Sequence, residues 1–138
     1  MLFFLTAFAF LTPAYSPPAR KVAFTVEVQN IRQLTGRLEI GVFKPSNTFP
    51  HGPPATKQSV AVDGRTVRIT FQLEPGDYAV ALYQDVNSNG QIDKRLFGIP
   101  KEPYGFSNNI RPKISVPKFD ECKVLVREDA RTQITLIQ

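Results

Sequence analysis

A chain of 138 residues with a single cysteine and a single histidine has room for one domain, no internal disulfide and no Cys/His zinc site. Its formal charge of +5 comes without an arginine-rich or aromatic-interleaved stripe, which argues against a nucleic-acid partner. The one local bias runs from 94 to 118, where Lys94, Arg95, Lys101, Arg111, Lys113 and Lys118 face a single acid, Glu102. Such a surface suits an anionic glycan, lipid head group or polymer, or is simply solvated.

Residues 1–16 read as an export signal. Leu2 to Leu11 is uncharged and apolar, too short to span a bilayer and the right length for a signal core. Ala14 and Ser16 flank Tyr15 as a small-x-small cleavage site. No Lys or Arg precedes the run. No later stretch is apolar enough to span a membrane. The reading is therefore a soluble mature domain at 17–138, exported to the periplasm or beyond the cell.

Strand signals follow the proline-bearing Pro17–Lys21. Val22, Phe24, Val26 and Val28 alternate with Ala23, Thr25, Glu27 and Gln29, the period of a half-buried strand. Leu38, Ile40 and Val42 repeat it. The segment from Lys44 to Lys57 holds four prolines and a glycine and reads as a long loop. Val60 and Val62 predict a short strand, Asp63-Gly64 a hairpin turn with positive φ at both positions, and Val67 to Leu73 the return strand. Pro75-Gly76 predicts a second turn with Gly76 left-handed. Tyr78 to Gln84 is apolar on both faces, the mark of a central strand. Asp85 to Asp120 shows little regular pattern. Cys122, Val124 and Val126 form a sixth strand, with Cys122 a buried apolar position rather than a reactive thiol. Thr132, Ile134 and Leu136 form the seventh. Seven strands and no convincing helix predict an antiparallel sandwich or barrel.

One loop carries chemistry. Asp85, Asn87, Asn89, Gln91 and Asp93 place oxygen donors at alternate positions around Gly90, as D-x-N-x-N-G-x-x-D. Calcium takes six to eight oxygens, and such spacing converges on one ion when the chain turns sharply. Leu96 stands where a bidentate Glu would close the site, and Lys94 and Arg95 adjoin the last carboxylate. The expectation is weak structural calcium with a dissociation constant of roughly 10⁻⁴–10⁻³ M, with Glu102 as a distant ligand. The alternative is an Asx-rich turn without metal. Beyond it, Phe97 to Asn109 mixes aromatics, glycines and amides. Phe97 and Phe106 read as self-packing, while Glu102, Tyr104, Ser107, Asn108 and Asn109 are the candidate ligand contacts.

At these residues the chain resembles the exported bacterial domain-of-unknown-function family 2141. The resemblance rests on the L-x-P-G-x-Y-A-V turn at Leu73–Val80, the loop at Asp85–Asp93, and the F-G-I-P-K-E-x-Y-G-F-S-N-N segment at Phe97–Asn109. A further stretch, Pro117 to Cys122, has Cys where a small residue is usual. The resemblance implies a transthyretin-like or carboxypeptidase-regulatory-like sandwich and carries no catalytic residue. The fold expectation is thus an all-β, antiparallel seven-stranded sandwich, transthyretin-like or immunoglobulin-like.

The expected function is a non-enzymatic binding or structural module meeting a glycan, envelope polymer or partner protein through the Asp85–Asn109 loops. A ligand-free structural domain and a metal-assisted hydrolase, with Asp93 and Glu102 flanking a cleft, are the alternatives. His51, in its Pro/Gly-rich loop, reads as a solvated histidine.

Overall fold

The computed structural model describes residues 10–92 and 101–138. The expectations placed on the start of the leader, and on Asp93, Lys94, Arg95, Leu96 and Phe97, lie outside the described residues. Residues 10–21 are exposed and carry no regular structure.

Two sheets pack face to face. β1 (Val22–Gln29) lies between β4 (Val67–Leu73) and β8 (Ala130–Thr135). The second sheet runs β3 (Thr56–Ala61), β2 (Arg37–Phe43), β5 (Gly76–Asp85), β6 (Tyr104–Phe106). β7 (Val124–Val126) pairs with the first residues of β5. The inward rows are those the alternation marks. Phe24, Val26 and Val28 of β1 meet Leu38, Ile40 and Val42 of β2 and Val80 and Leu82 of β5 in one core, all between 0 and 4% exposed. Each such side chain contributes about 1.5–3 kcal/mol by leaving water.

The sandwich is as expected, with particular differences. Among the described residues β6 is an eighth strand, too short at three residues to display an alternation. β1 and β8 run parallel, with Phe24 opposite Ala130, while the other ladders are antiparallel. Asp63-Gly64 closes no hairpin. β3 and β4 belong to different sheets, so the dipeptide sits in a crossover, and among the described residues the left-handed glycines are Gly36 and Gly90. Gly76 likewise begins β5 rather than supplying a left-handed turn residue. Both dipeptides mark a reversal correctly. Which sheet receives the next strand depends on partners far away in sequence.

Cys122 is fully buried, but it closes a single helical turn, α1 (Phe119–Cys122), instead of opening a strand. The Glu121 carboxylate accepts the Lys118 N–H at 2.7 Å and starts that turn. Among the described residues no helix is long and apolar enough to cross a membrane.

Candidate functional site

β5 ends at Asp85, which is 1% exposed. Its carboxylate oxygens accept the backbone N–H groups of Asn89 at 3.2 Å and Gly90 at 2.8 Å. Asn87 Oδ1 accepts from Asn89 N–H at 3.3 Å, and Asn89 Oδ1 from Gln91 N–H at 3.0 Å. Ser88 and Gly90 take φ of 54° and 78°. The loop is therefore folded by successive Asx turns. Among the described residues no three His, Cys, Asp or Glu side chains gather. A cation here would rest mainly on Asp85, neutral amides and backbone carbonyls, a donor set that calcium accepts. Asp93, the other carboxylate of the pattern, lies outside the described residues.

Glu102 does reach this loop. It is 7% exposed, and its Oε1 accepts the Val86 N–H at 3.1 Å. Next to it in the chain, Pro103 accepts the Gln84 N–H at 2.8 Å. Gln84 is fully buried on the core face, its amide donating to the carbonyls of Gln33 at 2.7 Å and Thr35 at 2.9 Å. Those bonds tie the β1–β2 connection to the end of β5.

The amide-rich turn at Ser107–Asn109 is tied inward. Ser107 is fully buried, and its hydroxyl accepts the Val80 N–H at 2.9 Å and donates to the Cys122 carbonyl. Asn108 donates to the carbonyls of Glu121 and Lys123 at 3.1 and 3.0 Å. Asn109 Oδ1 accepts the Thr135 N–H at 2.8 Å. Consecutive left-handed residues, φ 62° and 52°, aim these amides at α1 and β8. All three side chains brace the fold. Of the contacts expected from sequence, the structure brings Tyr104 to an open cleft and Glu102 to the Asp85 loop.

That cleft lies on the outer face of the second sheet and has a volume of about 630 Å³. The ladder registers lay its floor out in rows. One row is Ser59, Glu39, Tyr83, Tyr104, and the next is Lys57, Gly41, Ala81, Phe106. Gly41 and Ala81, side by side, leave a trough between larger neighbours. A Cβ on Gly41 would come 3.0 Å from the Phe43 ring and 3.3 Å from Pro54, so the trough is already closely lined there. The proline-rich loop supplies a wall. Its Phe49 makes edge contacts with Phe43, Phe106 and Phe119, at ring separations of 5.1, 6.1 and 6.2 Å. Gly90 and Ile92 of the Asp85 loop form another side. Burial first, then the carboxylates of Glu39, Asp85 and Glu102, push the Tyr83 phenol above its ordinary pKa, so it stays protonated as a donor.

The sequence places its candidate contacts in the loops and does not single out this face. The signal was present, because Gly41, Phe43, Ala79, Ala81 and Tyr83 occupy outward positions where a solvated antiparallel face would be polar. The double-sided apolar pattern of β5 marks a covered or occupied outer surface as well as a central strand.

A family model described as an uncharacterized protein conserved in bacteria (DUF2141) matches residues 26–135. Neither a curated protein nor a solved structure matches the chain.

Proposed function

This chain belongs to the DUF2141 family, and from that premise we propose that it is an exported, non-catalytic binding module whose ligand, a glycan or envelope polymer, lies over β2, β5 and β6. The observation that carries this reading is the trough over Gly41 and Ala81, walled by Tyr83, Tyr104 and the proline-rich loop. Its volume of about 630 Å³ falls within the range of ligand sites. It combines apolar walls with a few polar groups, as such sites do. The uncharged apolar run from Leu2 to Leu11 supports export.

The nucleophile candidates favour binding over catalysis. Burial and nearby Glu121 push the Cys122 thiol up to about 12, and the Ser107 hydroxyl is held between Val80 and Cys122. Neither is poised for attack.

Structural calcium belongs to the same proposal. Asp85, Asn87, Asn89 and the Gln91 carbonyl would hold it, with Asp93 as the remaining carboxylate. Its role would be to fix the loop whose Gly90 and Ile92 border the cleft. A glycan array on the purified protein, followed by calorimetry with and without chelator, tests the proposal. Saturable oligosaccharide binding lost in Tyr104→Ala is the expected result. Absence of any oligosaccharide binding, with Tyr104→Ala indistinguishable from wild type, would refute it.

A further inference from the structure

The rim of the cleft carries two ammonium groups. Lys57 projects from edge strand β3 beside Gly41, and Lys113 comes from the segment between the Ser107–Asn109 turn and α1. Both are exposed, and among the described residues neither has an ion-pair partner. Among the described residues Glu39 is the acid of the lining. Its carboxylate already accepts the Ser59 hydroxyl at 2.6 Å, and Ser59 accepts the Arg37 Nε–H at 2.7 Å. The described lining therefore sets two lysines against one acid beside an aromatic wall.

On the cleft reading above, we propose that the ligand is an acidic saccharide, a sugar ring bearing a carboxylate, with its apolar face against Tyr83 and Tyr104 and its charge on Lys57 and Lys113. Four strands from β3 to β6 are spanned by three strand spacings, a floor of roughly 14 Å. Ile114, 100% exposed, and Val116, 46% exposed, stand at the edge of this floor and offer apolar contact to the upper side of a ring. Lysine suits this task, since an ammonium on a flexible stem follows a carboxylate without demanding one bidentate geometry. Glu39, the Tyr83 hydroxyl and the two lysines are spread along the cleft, which matches hydroxyls around a ring. An acyl chain would instead require an unbroken apolar channel.

Calorimetry of the full protein with an oligogalacturonate and with an uncharged galacto-oligosaccharide of equal length tests the proposal. The acidic oligomer should bind more tightly, and that preference should shrink as salt rises. Lys57→Ala with Lys113→Ala should cost the acidic oligomer at least about tenfold in affinity and leave the neutral one unchanged. Both lysines are exposed, so the variants fold, and Lys57→Arg should retain the preference. Equal binding of both oligomers, or no effect of the double variant, overturns the acidic assignment while the cleft reading stands. Failure of both oligomers to bind removes the inference and counts against the cleft reading itself. Stronger binding of decanoate at the same cleft overturns the inference in favour of an acyl ligand.

Discussion

Gly36 packs against the carbonyl oxygen of Asp85 so closely that no Cβ could stand between them. Its φ of 71° is left-handed as well. The contact joins the β1–β2 connection to the point where β5 gives way to the Asp85 loop. Gly36→Ala combines backbone strain with a backbone collision and should cost at least about 2 kcal/mol in urea unfolding. Amide exchange at Asn89 and Gly90 should rise with it. An unchanged urea midpoint would show that the two segments separate freely.

Asp85→Ala takes the acceptor from the Gly90 N–H and one of the two acceptors from the Asn89 N–H, so stability should fall by about 1–3 kcal/mol even in chelator. Wild-type protein should melt at a higher temperature in millimolar calcium than in chelator, and the variant should lose that shift. Equal wild-type melting in both buffers would remove the ion from the proposal.

Glu27 lies at the centre of the outer face of the other sheet. Arg68 bonds it at 2.7 Å, with Gln29 at 2.7 Å and Gln133 at 3.1 Å, and these hold its pKa below the ordinary 4.5. Because the folded value is depressed, the stabilisation is present above about 4.5 and is lost as pH falls through the folded value. Glu27→Gln should therefore be less stable than wild type at neutral pH, with the gap closing on acidification. A gap independent of pH would assign the effect to packing alone.

Cys122 titrates the other way. Its folded value is raised from 9.0 to about 12. The unfolded chain loses its proton first, so the thiol's contribution is complete below about 9 and declines as pH rises toward 12. Native protein at pH 8 should resist iodoacetamide and react promptly in denaturant. Fast labelling of the native state would contradict the burial.

Tyr104→Ala separates binding from folding. The side chain is half-buried with an edge contact to Phe106 at 6.0 Å, while its backbone pairs with Ile137 at 3.1 and 2.7 Å whatever the side chain. Truncation should cost about 1 kcal/mol of stability and about 2 kcal/mol of ligand affinity. A variant that loses stability without losing affinity would place the ligand elsewhere.

The alternating runs at Val22–Val28, Leu38–Val42 and Val67–Leu73 were legible because a strand with one wet face must repeat every second residue. β6 was not legible. Three residues carry no period, and Gly105 is required because a Cβ there would come 2.6 Å from Ile134, a neighbour remote in sequence. The Asx spacing around Gly90 was readable because such turns bond within a few residues. The opposite fates of Tyr104 and Ser107, one lining a cleft and the other sealed beneath it, were not.

Local chemistry by itself determined the alternating strands, the turn at Gly90 and the burial of Cys122, since each follows from side-chain size, polarity and backbone freedom within a short window. Only the tertiary structure decided that β3 and β4 part to different sheets, that β8 runs parallel to β1, and that Lys57, Gly41, Ala81 and Phe106 share one row. A row across a sheet joins residues from four strands, and its membership is fixed by long-range hydrogen-bond register, which no single segment encodes.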